Sequence, residues 1–134
     1  MRFPYTGLDS RSTTLMPRLG MTLAYHKRSV EVIGLVDSGS TVNVLPYSVG
    51  LGLQAVWENQ PVIPGLAGSL RSVEVRALDV FAFHPQLTPR TPIQLVFAWT
   101  KSEEVPVIFG QMNIFLVFNV CFYRAEHVFE VTLQ

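Results

Sequence analysis

Hydrophobic and polar positions divide the chain into short runs, each closed by glycine, proline or a polar cluster, and most carry the period of a strand. Leu19 to Tyr25 and Val30 to Val36 are apolar runs around the polar turn His26-Lys27-Arg28-Ser29, which predicts a hairpin. The second run stops at Asp37. Ser38-Gly39-Ser40-Thr41 follows as a small-residue turn, and Val42 to Leu45 as another strand. Pro46 to Gly52 suits a short helical turn ended by glycine, whereas Gln54 to Glu58 fits neither pattern. From Leu70 to Phe83, apolar Val73, Val75 and Ala77, then Leu78, Val80 and Ala82, alternate with Ser72, Glu74, Arg76 and Asp79. The phase slips near Leu78, which predicts a bulge or a switch of sheet. With Pro61 to Leu70 ahead of it, this stretch predicts an extended hairpin with one wet face and a tip of Pro64, Gly65, Ala67 and Gly68. His84 to Pro92 is a proline-punctuated loop, Ile93 to Trp99 an apolar strand and Lys101 to Glu104 a charged turn. Val105 to Gly110 reads as a strand leading into a helix-compatible stretch to about Phe118. Asn119 to Tyr123 and Val128 to Leu133 read as two last strands about Arg124-Ala125-Glu126-His127. Met1 to Arg18, with few apolar residues, predicts a flexible N-terminal arm ahead of a domain spanning 19–134.

The composition agrees with these short strands. A chain of 134 residues is one domain with room for a core. Hydrophobic residues make up 49% and Gly and Pro number nine each, which suits an all-β domain with many turns. Ten basic residues balance ten acidic ones, so no net field favours nucleic acid or an anionic membrane. Cys121, the only cysteine, cannot form an internal disulfide and is expected in an apolar, buried place. The N-terminus lacks the charged start and long apolar core of a signal peptide, and a reducing cytoplasm is the expected compartment. Val105 to Tyr123 carries no charge and approaches bilayer-spanning length, but Pro106, Gly110, Gln111, Asn113 and Asn119 make it a poor span. A buried strand, turn and short helix is the better reading, and no membrane partner is expected.

Candidate chemistry concentrates at Asp37. A carboxylate at the end of an apolar strand is costly to bury unless hydrogen bonds surround it. The Ser38 and Ser40 hydroxyls, and backbone amides that Gly39 leaves accessible through unusual φ/ψ, are expected to supply them. Of the other aspartates, Asp9 lies in the arm and Asp79 in a strand without a following glycine. His26, His84 and His127 fall in turns or loops and read as surface residues. The histidines and the cysteine lack metal-ligand spacing, so neither metal nor cofactor is expected. No Gly-x-Ser-x-Gly, phosphate loop or dinucleotide fingerprint occurs.

An apolar strand leading into Asp37-Ser38-Gly39-Ser40, then a Gly-tipped hairpin, then Val107-Ile108-Phe109-Gly110 before a short helix, resembles the single-domain, retropepsin-like aspartic proteases. The resemblance covers roughly Leu19 to Leu133 and implies a closed, barrel-like acid-protease fold with a β-hairpin flap and one short C-terminal helix. Only one copy of the loop is present, so the resemblance implies a homodimer in which Asp37 of each subunit forms the catalytic dyad. Ser38 would link the two loops near the axis, Gly39 would let substrate backbone approach, and Ser40 would hydrogen-bond near the carboxylate. Ile63, Pro64, Gly65, Leu66, Ala67 and Gly68 would be the flap over an extended peptide substrate, and the tail Phe129 to Leu133 would cross between subunits as part of an intermolecular sheet. The sequence departs from the viral pattern in two places. Thr41 stands where many members have an aspartate that holds substrate main chain, and Gln111-Met112 follows the glycine where many carry Arg-Asp or Arg-Asn. The competing reading is an inactive domain of the same fold used for dimerisation or peptide capture.

Overall fold

The structure is a computed structural model that describes residues 1–64 and 73–134. Its strands are β1 (Arg2–Pro4), β2 (Arg18–Tyr25), β3 (Arg28–Val36), β4 (Asn43–Leu45), β5 (Val75–Phe83), β6 (Ile93–Thr100), β7 (Ile108–Phe109), β8 (Phe118–Tyr123) and β9 (Val128–Leu133). Among the described residues, two short helices, α1 (Tyr47–Gly52) and α2 (Ile114–Val117), accompany these strands, with 3-10 turns at Trp57–Asn59 and Arg124–Glu126, and the domain is predominantly β.

Six strands pair in the order β2-β3-β7-β4-β6-β5. β5 returns to β2 through Thr22↔Phe83, Leu23↔Ala82 and Ala24↔Phe81, so the pairing closes on itself. The β2–β3 hairpin turns through only His26 and Lys27, because Tyr25 already pairs with Arg28, and His26 takes a φ of 52°. Every second residue of these strands points inward. Leu19, Met21 and Leu23, Val32 and Val36, Leu78, Val80 and Ala82, and Leu95, Phe97 and Trp99 meet there. Fully burying a large apolar side chain of this kind contributes about 1.5–3 kcal/mol. Two glycines shape the packing. A Cβ on Gly34 would collide with the ring of Phe109, and one on Gly50 with the indole of Trp99. Trp99 stacks on Tyr47 at 5.7 Å and meets Trp57 edge-on at 5.0 Å, while its indole N–H donates to the Tyr47 carbonyl.

The phase slip near Leu78 is neither a bulge nor a break. The β5–β6 ladder runs unbroken from Val75↔Thr100 to Ala82↔Ile93. Leu78, Val80 and Ala82 face the main core, and Val75 packs on the opposite face in a second small cluster with Val44 and Ala98. Both faces of the strand are covered at that end, which removes the simple alternation.

The N-terminal segment corrects the expected loose arm. β1 pairs with β9 through Arg2↔Glu130, Phe3↔Phe129 and Pro4↔Val128. Phe3 stacks on Phe129 at 5.4 Å, and Tyr5 is buried, with its N–H donating to the His127 carbonyl at 2.7 Å. Two aromatic residues on alternate positions are enough to anchor the strand, whereas Leu8 to Arg11 form an exposed loop beyond the Thr6↔Met16 bridge. A second correction concerns Cys121, which is exposed. Phe118 turns inward from β8, and Cys121 lies on the opposite face, level with Glu130. The strand expected from Val105 to Gly110 is only Ile108–Phe109, since Pro106 has no N–H to give a ladder. Among the described residues no helix is long and apolar enough to cross a membrane.

His26 and His127 are exposed as expected, but His84 is half-buried. Its Nδ1 accepts from the backbone N–H groups of Gln86 and Leu87 at 3.1 and 3.3 Å, and Phe3 meets the ring edge-on at 5.6 Å. Burial holds the imidazole pKa below its ordinary value.

Two predictions follow from this packing. Gly50→Ala should cost about 1–3 kcal/mol, because Trp99 is fenced by Tyr47 and Trp57 and cannot retreat; an unchanged urea midpoint would contradict the contact. For His84 the fold favours the neutral ring. Its contribution is therefore complete above the unfolded pKa of about 6.5 and is lost as the pH falls from there toward the lower folded value. Thermal melts should show wild-type stability declining more steeply below about pH 6.5 than that of His84→Ala; parallel curves would contradict this.

Candidate active site

β3 delivers Asp37 to the end of the ring. Val36 is buried, Asp37 is half-buried, and Ser38 and Gly39 are exposed. The turn is closed by Ser40 N–H donating to the Asp37 carbonyl at 3.2 Å. Within it the Gly39 N–H donates to Asp37 Oδ1 at 2.9 Å, so one carboxylate oxygen is aimed by main chain. An ionised carboxylate has about four acceptor sites, which leaves capacity for a water or a second acid.

The serines differ from expectation. The Ser40 hydroxyl donates to the Val42 carbonyl at 2.7 Å rather than to the carboxylate. Ser38 is held through its carbonyl, which accepts from Gln111 Nε2 at 2.6 Å. Gly39 lies outside the left-handed φ region, so its role is spatial. A Cβ there would sit 3.2 Å from Asp37 Oδ1, tighter than ordinary van der Waals contact.

The loop is held by a segment distant in sequence. β7 lies between β3 and β4, parallel to the first and antiparallel to the second. The Asp37 N–H donates to the Phe109 carbonyl at 3.0 Å. From the other side, Gln111 N–H donates to the Ser40 carbonyl at 2.9 Å and Met112 N–H to the Thr41 carbonyl at 3.1 Å. Gly110 sits where these strands close on one another. A Cβ there would strike the Val42 carbonyl, so only glycine passes. The sequence-predicted segment from Val107 to Gly110 thus meets the Asp37 loop directly, and Gln111 occupies the position after the glycine with a contact of its own.

Asn43 is the residue that sequence reading missed. It is fully buried. Its Oδ1 accepts from Gly110 N–H at 2.8 Å, and its Nδ2 donates to the carbonyls of Val96 and Met112 at 3.1 and 3.0 Å. The Asn113 side chain adds a bond from Val96 N–H at 2.9 Å. The available signal was an amide inside the apolar run Val42-Asn43-Val44-Leu45, since a buried polar side chain of this kind must be satisfied.

Of the expected flap residues, Ile63 and Pro64 are described, while Gly65, Leu66, Ala67 and Gly68 lie outside the described residues. The stem pairs with the start of β5. Val62 bridges Arg76, Ile63 N–H donates to the Val75 carbonyl at 3.0 Å, and Ala77 N–H donates to the Pro61 carbonyl at 2.8 Å. Ile63 packs with Val42, Val105 and Ile108 onto Val44, Val75 and Ala98. This apolar cluster neighbours the Asp37 loop, because Ile108 directly precedes Phe109.

The other aspartates stand apart from this loop. Asp9 Oδ1 accepts from Arg11 N–H in the N-terminal loop. Asp79 is exposed on β5, lining a cleft with Tyr25 and Gln60. Among the described residues no three His, Cys, Asp or Glu converge as a metal site would require. No protein-family model matches the chain, and no curated protein matches it.

The geometry makes Asn43 the most sensitive support of the loop. Asn43→Leu keeps the volume but strands the buried Gly110 N–H and removes one bond each from the Val96 and Met112 carbonyls, the second of which keeps the Ile114 N–H. It should lower stability by about 1–3 kcal/mol, the cost of leaving a buried group such as the Gly110 N–H unpaired. Chemical denaturation measures this, and a loss below about 0.5 kcal/mol would contradict the role.

Proposed function

We propose that the chain is an aspartic endopeptidase of the retropepsin-like type, active as a homodimer, with Asp37 of each subunit forming the dyad. The single observation that carries the reading is the clamp on the Asp37 loop. An Asp-Ser-Gly turn leaves one strand and enters another, and a strand ending at glycine passes between the two. The closed ring of strand pairs and the hairpin stem at Pro61 to Ile63 support a barrel-like acid-protease fold with a flap.

Peptide hydrolysis without metal or side-chain nucleophile needs an activated water and a polarised carbonyl. Two carboxyl groups sharing one proton do both. The ionised group removes a proton from water as it attacks, and the protonated group donates to the carbonyl oxygen. Like charges so close cannot both ionise, and the pair titrates as a unit. The Gly39 N–H on Oδ1 supports this role by fixing the carboxylate plane without supplying a countercharge. The substrate would lie extended, bound through main-chain hydrogen bonds, with apolar side chains flanking the cut bond and packing against the partly exposed Ile63 and Ile108.

Digestion of a peptide library by wild type and Asp37→Asn tests the proposal. Wild type should cut between apolar residues, fastest at mildly acidic pH, and the variant should lose at least about 10²–10⁴-fold in rate while keeping its circular dichroism. Equal cleavage by the two proteins would overturn the mechanism.

A further inference from the structure

The three-stranded sheet at the chain ends has the order β1-β9-β8, so β9 is central and both its edges are occupied. The tail Phe129 to Leu133 therefore offers no free edge to another subunit, contrary to what the resemblance implies. The outer edge of β8 is a different matter. Val131 exchanges hydrogen bonds with Met1 on the β1 side, its N–H donating to the Met1 carbonyl and its carbonyl accepting from the Met1 amino group, both at 2.8 Å. Val120, paired with Val131, thus belongs to a non-hydrogen-bonded pair, and its own N–H and C=O point away from β9. The same holds two residues on at Phe122. At the other end, Gln134 N–H donates to the Val117 carbonyl at 3.0 Å, which fixes the same parity.

Proteins blunt such edges with charges, prolines or bulges. The β1 edge follows that rule, carrying Arg2 and Pro4. β8 does not. Phe118-Asn119-Val120-Cys121-Phe122-Tyr123 has no charge, proline or glycine, and its ladder with β9 contains no bulge. Phe122 on the strand and Leu116 and Met112 just before it in the chain are exposed apolar side chains, Leu116 by 72%.

We propose that β8 is the strand through which two copies of this chain pair, antiparallel across a two-fold axis, giving the sheet β1-β9-β8-β8-β9-β1. The occupant is a second copy because antiparallel pairing of a strand with itself is self-complementary, and an uncharged strand opposes no like charge to its copy. α2 and Gln111–Met112 connect this edge to the main-chain bonds on Ser40 and Thr41, so the pairing would set the position of Asp37. The inference rests on the reading of Asp37 as half of a dyad, which supplies the need for a twin.

Cys121, the only cysteine, is an exposed native attachment point on β8. Spin labels there should show strong dipolar broadening, because either central register brings the two Cys121 Cα atoms within about 5–8 Å. Wild type should sediment at twice the 15.0 kDa chain mass. Val120→Pro, which removes an outward N–H, and Phe122→Lys, which charges the rim, should each sediment as monomers with unchanged circular dichroism. Asp37→Asn should remain dimeric. A monomeric wild type, larger open polymers, dimers with well-separated labels, or folded edge variants that still dimerise would each overturn the proposal. A dimer with close labels that cuts no peptide upholds the edge and overturns the protease reading alone.

Discussion

The architecture of the candidate site depends on one set of main-chain hydrogen bonds, those by which Phe109 to Met112 grip both sides of the loop from Asp37 to Thr41. The Asp37 N–H takes the Phe109 carbonyl, and the Ser40 and Thr41 carbonyls take the Gln111 and Met112 N–H groups. Backbone bonds of this kind contribute only about 0.5–1.5 kcal/mol each, but leaving them unmade in a buried place costs more. The loop is therefore fixed less by the strength of any one bond than by several acting together, over the buried Phe109 and Gly110. Gly110 allows the approach, and Asn43 satisfies the polar groups that the approach would otherwise strand.

This arrangement explains how a small polar turn can hold a carboxylate in a defined direction. Loops usually move because their backbone groups are free to bond with water. Here carbonyls and N–H groups of the turn are committed to β7 and its continuation, so the carboxylate inherits the rigidity of the ring. The apolar cluster around Val44, Ile63 and Ile108 draws on the same strands.

Much of this was legible in the sequence. The hairpin around His26, the turn after Asp37, the short helix ending near Gly52 and the last two strands all announce themselves through period-two patterns and glycine or proline punctuation. What was hidden has physical reasons. The N-terminal strand has only Phe3 and Tyr5 as apolar anchors, too few residues to make a pattern, and their partner Phe129 lies at the far end of the chain. Cys121 was assigned by residue type, although its place on β8 points it outward. The slip at Leu78 records burial on both faces of β5, which periodicity cannot separate from a bulge. Asn43 was unremarked because an amide within an apolar run gains meaning only when Gly110, Val96 and Met112 arrive from elsewhere.

The proposed chemistry requires that the site exist once per two chains. Calorimetric titration with a pepstatin-type statine inhibitor, whose hydroxyl would stand in for the attacking water between the two carboxyl groups, tests this most directly. The account predicts one inhibitor bound per two chains, with binding abolished by Asp37→Asn. Saturation at one inhibitor per chain, or binding that survives the substitution, would contradict it.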